Sequence, residues 1–132
     1  MKQVIITAVD SLRLALKALS QGELIIYPTE TSYGLGADAT NPMAIEKLLS
    51  YKGNRLNKAL SVAVADRIMA QSYIVMNPIA CNVFETLLPG PVTLIAKSTG
   101  KVAKKVESER KTLGIRYSSL PFVSQLVNAF GK

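Results

Sequence analysis

The sequence predicts a single-domain α/β protein with one twisted mixed sheet flanked by helices. Three observations point that way. Short apolar runs of strand length alternate with segments whose apolar residues recur at helical spacing. Most changeovers are marked by Gly, Pro or a residue suited to capping a helix. Finally, 132 residues with 48% apolar side chains suffice for one ordinary core, and neither an internal repeat nor a linker divides the chain.

In chain order, residues 2–7 read as a strand, and Asp10 can cap a helix over 10–21 carrying Leu12, Leu16 and Leu19. Gly22 ends it. Residues 23–27 form a brief apolar run closed by Pro28, which suits a buried strand better than a helix. A polar loop follows. Asn41 then caps a helix over 42–51, with Pro42 at the first position where no N–H is needed. Residues 59–65 are apolar with little alternation, as expected of a strand covered on both faces. Asp66 caps a short helix, and Asn77-Pro78 opens another that the Pro-Gly-Pro at 89–91 must end by residue 88. Further strands are expected at 92–96 and 113–117, and a last helix at 120–130 with Phe122, Val123, Leu126 and Phe130 at helical spacing.

Composition removes several chemistries. There is no His and one Cys, which excludes imidazole-based triads, zinc sites built on His, CxxC redox pairs and internal disulfides. Cys81, in an apolar stretch, reads as a core residue rather than a nucleophile. No run approaches the ~20 apolar residues of a membrane span, and the start lacks a secretory apolar segment, so a cytoplasmic protein is expected. Sixteen basic against nine acidic residues give +7, which favours polyanionic partners and also simply keeps a protein soluble. The positive charge gathers at Lys97, Lys101, Lys104, Lys105, Arg110, Lys111 and Arg116, either an RNA-binding face or a solvated basic stretch.

Four segments can carry chemistry. Tyr-Pro-Thr-Glu-Thr-Ser-Tyr-Gly-Leu-Gly at 27–36 follows a strand directly, where α/β folds put ligands. Its hydroxyls on Thr29, Thr31 and Ser32 suit a polar ligand, and Gly34 and Gly36 would let the backbone approach it, but a structural turn explains the same residues. It is not a phosphate-binding P-loop, because no Gly-Lys-Ser/Thr follows. Lys52, Arg55 and Lys58 cluster at a helix end, where they either complement the helix dipole or meet a triphosphate. Pro-Gly-Pro-Val-Thr-Leu at 89–94 is a rigid corner. Thr-Leu-Gly-Ile-Arg at 112–116 ends on Arg116, which can pair with a carboxylate or simply sit at an edge.

Taken together, the order and spacing of these four segments resemble the YrdC-like family from about Val4 onward. The resemblance implies a threonylcarbamoyl-AMP synthase: L-threonine and bicarbonate form an N-carboxylated amino acid that attacks the α-phosphate of ATP, and pyrophosphate leaves. The product feeds threonylcarbamoyl modification of tRNA. By motif position, Thr31 would contact the threonine and Arg116 its carboxylate. Lys52, Arg55, Lys58 and Thr112 would line the ATP phosphates, with Lys52 and Arg55 catalytic and Mg2+ bridging phosphate oxygens rather than held in a protein metal site. The implied partners are tRNA or double-stranded RNA on the basic face and other tRNA-modification proteins, with no membrane. The sequence departs from the family in two places. Asn54 stands where the family's Lys-x-Arg has its Arg, displacing it to Arg55, and no Ser-x-Asn segment follows within 132 residues, so the 1–132 domain is expected to be incomplete at its C-terminus. An alternative is a non-catalytic RNA-binding module or inactive fragment that keeps the fold.

Overall fold

The computed structural model describes Gln3 and residues 10–53 and 59–132. The strand expected at 2–7 therefore lies outside the described residues, Gln3 apart. The elements run α1 (Ser11–Ser20), β1 (Ile25–Pro28), β2 (Tyr33–Gly36), α2 (Pro42–Lys52), β3 (Ser61–Val64), α3 (Arg67–Tyr73), α4 (Pro78–Leu87), β4 (Leu94–Lys97), a 3-10 turn (Lys104–Val106), β5 (Thr112–Tyr117) and α5 (Pro121–Phe130). The class is the mixed α/β one that the sequence predicts.

The caps explain three helix starts. Asn41 Oδ1 accepts from the Met43 and Ala44 N–H groups at 3.0 and 3.3 Å. Asp66 Oδ1 accepts from Met69 N at 2.8 Å, and Asn77 Oδ1 from Ala80 N at 2.8 Å. Each satisfies donors that a helix N-terminus leaves orphaned. Asp10 departs from expectation: it occupies the N-cap position of α1 but its carboxylate binds Arg13 Nε at 3.0 Å instead of capping. Gly22, at φ +71, ends α1 in a left-handed conformation that suits glycine.

The strands form two ladders among the described residues. β1 and β2 make an antiparallel hairpin, and β3, β5 and β4 make a mixed sheet in that order, β3 parallel and β4 antiparallel to β5. Two expectations need correction here. The segment 33–36, read as loop, is a strand, and the strand near 23–27 pairs with it rather than joining the other three. The reason lies in Tyr27. A Cβ on Gly36 would sit 2.8 Å from Tyr27 Cε1 and one on Gly34 3.3 Å from its Cζ, so the ring lies across the two glycines and fills the surface that they leave bare.

One face of the three-stranded sheet is core. Val62, Val64, Leu94, Leu113 and Ile115 are buried against Ala70 and Tyr73 of α3 and Ala80 and Phe84 of α4. Phe84 stacks on Tyr117 with centroids 5.7 Å apart. β3 is not covered on both faces as expected. Its burial alternates, Val62 and Val64 inside, Ser61 exposed and Ala63 half-buried. By register, Ser61 and Ala63 share that second face with Gly114, Arg116 and Ile95, and Ile95 is 67% exposed. α5 packs against α1 and β3 and borders the open face.

Candidate functional site

The open sheet face floors a cleft of about 370 Å³. The β1–β2 hairpin, the C-terminal end of α2 and α5 surround it, and it is lined by Thr31, Lys52 and Arg116 among others. The structure thus brings together three of the six residues that the sequence singled out. Arg55 and Lys58 lie outside the described residues. Thr112 is not in the cleft lining: it starts β5, about 13 Å from Arg116 at ~3.3 Å per strand residue, and its hydroxyl bonds Ser108 Oγ at 2.7 Å.

Arg116 is the fifth residue of β5, opposite Ala63. Its side chain is 29% exposed and Nη2 is buried without a hydrogen-bond partner. Glu30 Oε2, 3.8 Å away, is close enough for attraction but too far for a hydrogen bond. A buried guanidinium donor left unmade is costly, and an incoming carboxylate would relieve that cost. The strand end carrying Arg116 is held by the Pro-Gly-Pro corner, where Gly90 N donates to Tyr117 O at 2.9 Å.

Glu30 itself is fixed from the far side. Ser119 N and Ser119 Oγ donate to its Oε1 at 2.5 and 3.1 Å, across 89 residues of sequence. Burial alone would raise its pKa, yet its own backbone N–H, that of Ser119 and the Ser118 and Ser119 hydroxyls outweigh it and hold the carboxyl below its usual value. Glu30 is therefore an anion at neutral pH. Burial pushes the Tyr27 phenol up, against the pull of Arg116, so Tyr27 keeps its proton.

The 29–32 turn is organised by Thr29. Its N–H and hydroxyl both donate to Ser32 O, at 2.7 and 2.6 Å, and its Oγ1 accepts from Ser32 N at 3.1 Å. Thr29 is spent on the turn. Thr31 is tied less firmly: its N–H donates to Thr29 Oγ1 at 3.4 Å and its exposed hydroxyl makes one long 3.4 Å bond to the same oxygen, which a ligand could replace. Lys52, the last residue of α2, makes no ion pair among the described residues. Gly34 and Gly36, expected to let a ligand approach the backbone, both line the cleft and also accommodate the Tyr27 ring.

A family profile described as telomere recombination and named for Sua5, YciO and YrdC matches residues 17–132. The chain belongs to the Sua5/YciO/YrdC family. It is 36% identical over 126 residues to a Vibrio parahaemolyticus protein named threonylcarbamoyl-AMP synthase, covering 93% of this chain and 68% of that one. Its fold is similar to that of P. abyssi Sua5 complexed with L-threonine, with a TM-score of 0.86 at 22% identity, over 99% of this chain and 38% of the other. It is also similar to E. coli YciO, with a TM-score of 0.79 at 27% identity, over 92% and 59% of the two chains. This chain therefore spans only part of each of these family members.

Within this Sua5/YciO/YrdC domain, sequence reasoning missed Glu30, Ser118 and Ser119. Glu30 lies inside the 27–36 motif, but attention to hydroxyls passed over it, and no local signal links it to Ser119. The basic run also divides. Lys97, Lys101, Lys104, Lys105, Arg110 and Lys111 are exposed, whereas Arg116 is withdrawn into the cleft and Lys105 pairs with Glu46 at 2.5 Å. Cys81 is half-buried, with Sγ 3.5 Å from Met76 O and from Arg67 Nη2, away from the cleft lining. No helix among the described residues is long and apolar enough to cross a membrane.

Proposed function

We propose that this domain binds L-threonine and ATP for threonylcarbamoyl-AMP synthesis, with bicarbonate as the third substrate and pyrophosphate as the leaving product. The observation that carries this is the orphaned guanidinium nitrogen of Arg116, buried in the same cleft as Thr31 and Lys52. The 36%-identical synthase supports it from outside. The threonine carboxylate lies against Arg116 and Thr31 orients the substrate by its exposed hydroxyl. The threonine ammonium first loses a proton to solvent; the neutral amine and bicarbonate then condense with loss of water to a carbamate, whose oxygen attacks the α-phosphate and breaks its bond to the departing pyrophosphate. Lys52, Arg55 and Lys58 hold the phosphates as fixed cations. Thr112 already bonds Ser108, and a nucleotide contact there would have to replace that bond.

Mg2+ enters with the nucleotide. Among the described residues no group of three or more His, Cys, Asp and Glu side chains could hold a metal, and Glu30, the one acid lining the described cleft, is engaged by Ser119. The exposed Lys101, Lys104, Arg110 and Lys111 would receive tRNA phosphates in the cytoplasm, in concert with tRNA-modification partner proteins.

Calorimetric titration of this chain with each ligand tests the assignment. Lys52→Ala should weaken ATP while sparing threonine, and Arg116→Ala should do the reverse. If both substitutions weaken both ligands equally, or neither ligand is affected by its own substitution, the two subsites are wrongly assigned.

A further inference from the structure

The threonine reading gives Arg116 and Thr31 a ligand but leaves Glu30 without one. A carboxylate facing an amino-acid carboxylate site would repel the substrate unless it meets the substrate's other charge. The geometry allows that. Glu30 Oε1 is committed to Ser119 N and Oγ, which fixes the carboxylate and aims Oε2 at Arg116. Oε2 and Nη2 stand 3.8 Å apart, attracted but not bonded to each other, and Nη2 has no other partner. Both side chains are largely withdrawn from water, Glu30 at 12% exposure and Arg116 at 29%, and both line the cleft.

We propose that Glu30 and Arg116 form a fixed pair that reads the zwitterion of an α-amino acid, Nη2 of Arg116 taking the carboxylate and Oε2 of Glu30 the α-ammonium. The proposal rests on the amino-acid reading above and deepens it. Two opposite charges carried on one substrate carbon match two opposite charges held side by side. Each gains a charge-assisted hydrogen bond that the empty pair does not make. A carboxylate lacking the amine would satisfy Arg116 while leaving Glu30 facing its negative charge, which supplies specificity by repulsion as well as attraction. Because Ser118 and Ser119 keep Glu30 ionised, the acceptor is present at neutral pH without needing the ligand to deprotonate it.

The test compares L-threonine with 3-hydroxybutyrate, the same molecule without its amine, by calorimetry on this chain. Wild type should prefer threonine by at least about tenfold, the discrimination worth of one charge-assisted bond. Glu30→Gln keeps an oxygen for Ser119 but removes the charge. It should weaken threonine by about tenfold or more and leave 3-hydroxybutyrate unchanged or tighter. Ser119→Ala removes one bond to Oε1 but keeps the charge, and should retain the preference for threonine. Unchanged threonine binding in Glu30→Gln would overturn the Glu30 assignment while leaving Arg116 in place. Equal loss of preference in Ser119→Ala and Glu30→Gln would make Glu30 a structural tie and overturn it too. If Arg116→Ala also binds threonine like wild type, the amino-acid reading itself falls.

Discussion

Replacing Arg116 by Met should separate stability from binding. Met keeps most of the side-chain volume but removes the guanidinium, whose Nη2 is buried and unpartnered in the ligand-free protein. An unsatisfied buried donor costs about 1–3 kcal/mol, and removing it recovers that cost. Against this stands the attraction to Glu30 at 3.8 Å, with the Arg116 side chain 29% exposed, worth at most about 1 kcal/mol for a partly screened pair. The net change should lie between neutral and about 3 kcal/mol of added stability. Threonine binding should fall at least about thirtyfold, because truncating one partner of a desolvated charged contact costs about 2–5 kcal/mol. Urea unfolding followed by far-UV circular dichroism gives the first number and calorimetry the second. A variant destabilised by more than about 2 kcal/mol would show that the guanidinium is structural, and unchanged threonine affinity would remove it from the site.

Gly36→Ala puts a methyl 2.8 Å from Tyr27 Cε1 and should cost about 1–3 kcal/mol as the ring is displaced; an unchanged melting temperature would mean that the ring does not rest there. Buried Asp38 accepts from Lys132 Nζ at 2.7 Å and from Thr40 N and Oγ1 at 2.9 and 2.7 Å. Burial opposes its ionisation, but these bonds win and depress its pKa, so its contribution is full above the unfolded value near 3.8 and is lost as pH falls through the folded one. The stability gap between wild type and Asp38→Asn should therefore narrow from about pH 6 to about pH 2, whereas a constant gap would tell against the charged pairing. Reversing Lys104 and Lys105 to Glu should weaken tRNA binding at low salt and flatten its salt dependence, since phosphates are the expected contacts. Losing the exposed Lys105–Glu46 pair should cost at most about 1 kcal/mol, and equal tRNA affinity would mark the face as solvated surface only.

The sequence was most legible where local chemistry decides the structure. Asn41, Asp66 and Asn77 each cap a helix because a short polar side chain followed by suitable helix-starting residues has few better options. Asp10 misled because Arg13, one turn on, competes for the same carboxylate. β2 was hidden because Gly34 and Gly36 read as loop residues, and their fitness for a strand depends on a Tyr27 ring that no local pattern places there. The open face of β3 was hidden for a related reason: Ala63 is apolar by composition, yet it faces the cleft. Thr31, Lys52 and Arg116 could be singled out because each stands in a motif of a known family. Glu30's bond to Ser119, spanning 89 residues, exists only once the fold does.

Release of pyrophosphate by this chain, measured with ATP and Mg2+ while L-threonine and bicarbonate are each omitted in turn, tests the proposed chemistry most directly. Pyrophosphate should form only when both are present, and Arg116→Ala should abolish it at threonine concentrations that saturate wild type. Absence of pyrophosphate with all substrates supplied, or release that continues without threonine, would contradict the assignment of this cleft to threonylcarbamoyl-AMP synthesis.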